Sequence, residues 1–164
     1  MKQIYTIGHS TKTLDDLVGL LKLYEIKTLI DVRHFPRSRH NPQFNIEQLE
    51  KNLPKIGIGY QWLEILGGFR PGGYKKYTCT RDFKIGLNRL IKIAEKNRTA
   101  IMCAEILWFK CHRRYIADAL KRKRWYVVHI YDDKRTEKHK ISLKRKIKCD
   151  LTRKPRRLVA GFRI

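Results

Sequence analysis

Five short apolar runs, each followed by a segment of a different period, constrain this chain more than any other feature. The runs are residues 2–7, 27–32, 58–63, 99–104 and 125–131, the third being the weakest. Between them, apolar residues recur at helical spacing. Leu14, Leu17, Val18, Leu20 and Leu21 follow Thr11 and Thr13, which are candidate caps, with Asp15 and Asp16 in the first turn. Residues 46–53 read as a short helix with Asn45 as its cap and Pro54 at its end. Thr80 opens a helix to about Asn97, with Phe83, Leu87, Leu90, Ile91 and Ala94 on one face, and residues 110–123 place Tyr115, Ile116, Ala119 and Leu120 inward. Such alternation requires right-handed crossovers. It predicts an α/β fold: a mostly parallel sheet of about five strands with helices on both faces, a Rossmann-like three-layer sandwich. The reading assigns 1–133 to this domain and 134–164 to a basic C-terminal extension packed on or appended to it. Within the extension, residues 138–148 have helical character and 158–164 form a last strand or a loose tail.

In an open parallel sheet, ligands bind beyond the carboxyl ends of the strands. Here those ends deliver Gly8-His9-Ser10, Asp31-Val32-Arg33, Leu66-Gly67-Gly68 and Cys103-Ala104-Glu105, and Cys111-His112-Arg113 stands near the start of the next helix. A helix start presents unpaired N–H groups that hold anions and lower a cysteine pKa. Cys111 is therefore the candidate nucleophile or redox thiol, with His9, Glu105 and Cys103 as its catalytic neighbours. Arg33, Arg37, Ser38, Arg39, His112 and Arg113 form the expected anion clamp, since guanidinium forks suit phosphate and carboxylate. Asp31 ends a buried strand and calls for Arg33 or Arg39 as partner. Against these stand blander roles: a packed Cys103, a solvated arginine loop, and a histidine at 9 that only satisfies backbone.

The chain carries 38 Lys and Arg against 15 acids, a formal charge of +23, and residues 110–164 hold 20 of the bases and 5 of the acids. That points to an anionic partner, nucleic acid first. Arg70, Tyr74, Lys75, Lys76, Trp108, Lys144, Arg145, Arg156 and Arg157 are the residues expected to hold it, by stacking and phosphate neutralisation. The same composition suits the surface of a thermophile protein. No stretch approaches the roughly 18 apolar residues of a membrane span, and residues 1–10 contain no secretory pattern, so the expected setting is cytoplasmic, away from membranes. The cysteines, Cys79, Cys103, Cys111 and Cys149, match no common zinc spacing, and no cofactor motif appears. A metal held by Cys103, Cys111, His112 and His9, or a Cys103–Cys111 bridge, is the minority reading.

The blocks resemble a known family. Cys103-Ala104-Glu105, five residues, then Cys111-His112-Arg113 is similar to the C-A-E-x5-C-H-R signature of the domain of unknown function 488 family. Thr6-Ile7-Gly8-His9-Ser10 resembles its opening block. Asp31-Val32-Arg33, Pro36, Ser38-Arg39 and Phe44 resemble its second, and Gly57-Ile58, Tyr60, Leu63 and Leu66-Gly67-Gly68 its third. The resemblance, over roughly residues 4–131 with His129-Ile130 after the last strand, implies a compact α/β domain with a cysteine site and no settled activity. The chain departs from it at Ile106-Leu107-Trp108-Phe109-Lys110, apolar where the family is polar, and in its basic tail. Three functions stay in play: a nucleic-acid-associated enzyme with a Cys/His/Arg cleft, a non-catalytic DNA- or RNA-binding module, and a small-molecule thiol enzyme of sulfur-transfer or redox type.

Overall fold

The computed structural model describes residues 2–141, so Cys149, Lys144, Arg145, Arg156 and Arg157 lie outside the described residues. Strands β1 (Gln3–Gly8), β2 (Thr28–Asp31), β3 (Gly59–Trp62), β4 (Thr99–Cys103) and β5 (Tyr126–Ile130) form where the apolar runs predict them, all parallel. A sixth strand, β6 (Thr136–Lys138), pairs antiparallel with β5 and was not expected, because its exposed, polar residues give no apolar signal. The extension thus begins as part of the sheet.

Helix boundaries follow their caps. Thr13 opens α1 (Leu14–Leu23) reciprocally: its hydroxyl accepts from Asp16 N at 3.0 Å, and the Asp16 carboxylate accepts from Thr13 N at 3.1 Å. Thr80 caps α4 (Arg81–Ala94) through Phe83 N at 3.2 Å. Asn45 precedes α2 (Ile46–Asn52) but makes no side-chain cap, because its Oδ1 accepts Ser38 N at 2.7 Å and ties down the arginine loop instead. A short helix, α3 (Tyr74–Tyr77), follows the glycine-rich loop. The last helix, α5 (Arg113–Arg122), starts later than its periodicity predicts: residues Trp108–Lys110 form a separate 3-10 turn, and Cys111 is extended at φ −105° and ψ 156°.

The strand order is β3-β2-β4-β1-β5-β6. The chain leaves β1 toward β2 on one side and leaves β4 toward β5 on the other, so the adjacent ends of β1 and β4 are the topological switch point, where a crevice opens in folds of this kind. Side chains alternate across the sheet. Ile4, Ile30, Ile101 and Val127 pack with α4 and α5, whereas Tyr5, Ile7, Leu29, Ala100 and Met102 pack with α1 and α2. Gly8 sits at the switch point, where a Cβ would lie 2.2 Å from Glu105 O and 2.5 Å from Ile106 Cα, so the bare backbone lets β1 pack against the loop after β4. No helix among the described residues is long and apolar enough to cross a membrane.

Candidate functional site

The strand ends do gather chemistry, but in two groups separated by the sheet. Gly8 pairs with Cys103, so His9 lies one residue beyond the pairing and points to the α1–α2 face, whereas Cys103 packs with the α4–α5 layer. The expected single cleft of His9, Arg33 and the cysteines is therefore corrected to two sites.

On the α4–α5 face, Cys103 Sγ, Cys111 Sγ and His112 Nδ1 lie within 4.8 Å of one another. Both cysteines are free thiols rather than a bridge, and they are 9% and 6% exposed. The 3-10 turn returns Cys111 to the end of β4, and the start of α5 is aimed at its sulfur. Cys111 Sγ accepts from Arg113 N at 3.5 Å and from Arg113 Nε at 3.4 Å, and His112 Nδ1 stands 3.5 Å away. His112 Nε2 lies 2.8 Å from the carbonyl of Val32, which only accepts, so this nitrogen carries a proton and Nδ1 is turned to the sulfurs. Gly68 leaves room for that ring: a Cβ there would be 3.1 Å from Nδ1. The Cys103 thiol donates to Cys111, and this bond is the largest cause holding Cys111 well below the usual thiol range. Burial opposes it, while the His112 bond and the charges of His112 and Arg113 add to it. The same bond, with burial, pushes Cys103 far up, so the pair is one thiol and one thiolate.

Arg113 is 1% exposed, yet no carboxylate among the described residues pairs with it. Its terminal nitrogens donate to the Glu105 carbonyl, to Ile106 O at 3.4 Å and to Thr6 Oγ1 at 3.4 Å. From Thr6 a buried chain continues: His129 Nδ1 at 2.7 Å, His129 Nε2 to His139 Nδ1 at 3.0 Å, and His139 Nε2 to Asp118 Oδ1 at 2.8 Å. A carboxylate only accepts, so with both histidines neutral every bond in the chain runs from Arg113 toward Asp118. Each histidine then carries its proton on Nε2. Burial, with the charge of Arg113 adding to it, lowers the His129 pKa to about 2.

On the α1–α2 face, Arg33 is saturated. Its Nε donates to both Asp31 oxygens at 2.9 and 3.0 Å, NH2 reaches Asp31 and Phe44 O, and NH1 stands 3.3 Å from His9 Nε2. Tyr60 donates to Asp31 Oδ2 at 2.8 Å. His9 donates from Nδ1 to Ser10 O at 2.9 Å and lies against the Phe44 ring at 4.2 Å, tilted by 34°. Burial holds it neutral with a pKa lowered to about 4, although the bond to Ser10 works the other way. Both ring nitrogens are engaged within the protein, so the structure corrects the expectation of a positioned acid or base at His9.

The remaining predicted residues disperse. Glu105 is exposed and accepts Leu107 N at 3.0 Å, which makes it a loop brace that orients no histidine. Arg37 pairs with Glu47, and Ser38 Oγ accepts His40 N and Asn41 N at 3.2 Å each, so neither is turned to an anion; Arg39 is exposed. Tyr74 and Trp108 are buried rather than presented to bases. Tyr74 donates to Leu66 O at 2.7 Å, and Trp108 stacks on His129 at 4.3 Å while donating to Glu137 at 3.1 Å. Arg70 is occupied by Gly67 O and Glu64 O and lies over the Tyr77 ring; Lys75 and Lys76 are exposed. Thr6, Asp118 and His139 escaped the sequence reading. Their signal was faint: polar side chains at positions where strand and helix period call for apolar ones.

Cys103, Cys111 and His112 are also the atoms that could hold a metal ion. Their type suits a soft dication, and a histidine fixed through its far nitrogen to a carbonyl is held as metal-bound histidines are. His9, the expected fourth member, is on the other face. The guanidinium of Arg113 already occupies the Cys111 sulfur and would stand beside any dication.

Fold and site together define an α/β protein with a buried cysteine centre at its switch point. The chain belongs to the family described as Domain of unknown function DUF488, which matches residues 13–73 and 72–120. The match includes Cys103, Cys111, His112 and Arg113 and leaves Thr6–Ser10 and His129 outside. No curated protein and no solved structure matches the chain.

Proposed function

We propose that this chain is a thiol-dependent redox enzyme in which Cys111 is the attacking thiolate and Cys103 the resolving thiol. One observation carries the reading: a fully buried arginine, Arg113, has no carboxylate partner among the described residues and directs both its backbone N–H and its Nε at the Cys111 sulfur. A buried cation left uncompensated costs several kcal/mol. The thiolate is the anion in reach, and a thiolate is the nucleophilic form of cysteine. The second thiol decides the reaction class, because an enzyme attacking carbon needs one cysteine, whereas exchange with a disulfide is completed by two.

In the first step Cys111 Sγ attacks one sulfur of a substrate disulfide, RS–SR′. The S–S electron pair leaves with R′S⁻, and Cys111–S–SR forms. Cys103 then gives its proton to the departed R′S⁻ and attacks Cys111 Sγ, which expels RS⁻ and closes the Cys103–Cys111 disulfide. The two electrons lost by the cysteines are those gained by the substrate, and a dithiol reductant restores the pair. An aromatic disulfide probe with mass spectrometry tests this. Wild type should release two thiols at this site and close the bridge. Cys103→Ser should stop at a mixed disulfide on Cys111. A Cys111 that alkylates with the pH midpoint of an ordinary cysteine overturns the reading. Stoichiometric zinc binding that blocks alkylation assigns the three atoms to a metal instead.

A second reading, association with nucleic acid, is favoured by the formal charge of +23 and by exposed Arg39, Lys75 and Lys76, which carry no ion pair among the described residues. It does not run through the strand-end arginines, since Arg33 and Arg113 are consumed inside the protein. Its test is binding of labelled DNA and RNA across a salt series, where a steep slope is expected.

A further inference from the structure

The aromatic surface sought at Tyr74 and Trp108 lies elsewhere. Phe35 is 67% exposed and Phe69 80%, the two most exposed large apolar side chains of the described residues. They come from different loops, after β2 and after β3, yet their ring centroids are 6.1 Å apart with an interplanar angle of 49°. His34 completes a triangle with them, edge-on to Phe35 at 4.5 Å and 6.0 Å from Phe69. Trp62, 37% exposed, is tied to the same loop by its Nε1 bond to Arg33 O at 2.9 Å. Burying a phenylalanine stabilises a fold by about 1.5–3 kcal/mol, and here two forgo it side by side.

Their position and surroundings say what meets them. A Cβ on Gly67 would lie 3.1 Å from His34 Cα, and one on Gly68 3.1 Å from His112 Nδ1, so the glycine pair is the strip between the aromatic group and the cysteine centre. The two loops, residues 33–41 and 67–80, contain no acidic residue and six Lys or Arg. Of these, Arg39, Lys75 and Lys76 are exposed and outside every ion pair of the described residues. Flat π-faces on loops that also carry unpaired cations suit a ligand with flat rings and regularly spaced negative charge. The rings are too close and too tilted to sandwich a base, so each offers one open face.

We propose that Phe35 and Phe69 form a stacking platform for unpaired bases of a single-stranded nucleic acid, with Arg39, Lys75 and Lys76 meeting its phosphates at the mouth of the cysteine centre. Duplex DNA keeps its base faces covered and gains only the phosphate contacts. The inference rests on the nucleic-acid reading and sharpens it to strand type and residues.

The experiment is fluorescence anisotropy on the full chain with a labelled oligo-dT and a labelled duplex of equal length, over a salt series. Phe35→Ala/Phe69→Ala removes exposed rings and should leave the fold intact, checked by its unfolding midpoint. We expect it to weaken oligo-dT binding roughly tenfold, in the range of one lost base stack. Duplex affinity and the salt slope should not move. Phe35→Trp/Phe69→Trp should keep or improve oligo-dT binding. Unchanged oligo-dT affinity in the alanine variant, or equal losses for strand and duplex, overturns the platform while leaving the nucleic-acid reading in place. A wild-type dimer that the alanine variant dissociates reassigns the rings to an interface between copies. Binding of neither probe at low salt removes the nucleic-acid reading itself.

Discussion

Two buried arginines stand on opposite faces of one sheet edge, and they solve the same electrostatic problem differently. Arg33 is neutralised by the Asp31 carboxylate, which is 0% exposed and also accepts from Tyr60, with Phe44 O and His9 completing its contacts. Arg113 has carbonyls, a hydroxyl and a sulfur. The first arrangement is closed and inert. The second places the compensating charge on an atom that can form and break covalent bonds. A buried cation is thus a structural device or a chemical one according to its anion.

The comparison can be broken in four ways, taken from the largest effect down. Asp31→Asn should cost about 3–5 kcal/mol in denaturant unfolding, because it strands Arg33. Cys111 alkylation should be unchanged, and a change would mean that the two faces are coupled. Next is acid. His9 and His129 have folded pKa values of about 4 and about 2, below the ordinary 6.5, so the unfolded chain binds more protons. Stability from each is complete above pH 6.5 and falls as pH drops toward the folded values, by about 1.4 kcal/mol per pH unit per histidine. His9→Gln should remove one proton from the slope of unfolding free energy against pH between 6 and 4.5; an unaltered slope would show that His9 is not held neutral.

The third test bears on the cysteine face. Arg113→Lys keeps charge but loses the fork, and should raise the pH midpoint of Cys111 alkylation by one unit or more, a rate loss of roughly tenfold per unit in the acid limb. Equal midpoints would leave Cys103 and His112 as the causes of the lowered Cys111 pKa. The smallest effect is expected from Thr6→Val, which removes one hydroxyl from beneath Arg113. It should cost about 1 kcal/mol of stability and shift the same midpoint by a fraction of a unit, while Thr6→Ser restores it. A shift as large as that of Arg113→Lys would mean that Thr6 positions the whole guanidinium.

The architecture was readable because strand runs and helix periods are local signals, and Thr13 and Thr80 mark their helices chemically. The gathering of Cys103, Cys111 and His112 was readable too, since parallel topology brings strand ends together. What escaped depends on register. That His9 and Cys103 part company follows from Gly8 pairing with Cys103, which no local pattern specifies. Strand β6 has no apolar alternation, so His139 looked like tail although it sits 2% exposed against Asp118. Burial misled in both directions for aromatics: Trp108 and Tyr74 went inside because the site needed walls, and Phe35 and Phe69 stayed out.

The chain from Arg113 to Asp118 has one further consequence. A carboxylate only accepts, so with both rings neutral Asp118 assigns the tautomers of both histidines without either ring touching solvent. The protons are therefore a joint variable. Neutralising Asp118 would lift that demand, and His139 and His129 could then reverse only together, so that His129 Nδ1 donates to the Thr6 hydroxyl instead of accepting from it. The two buried histidines act as a single polarised element, whose orientation records the charge of the carboxylate at its end.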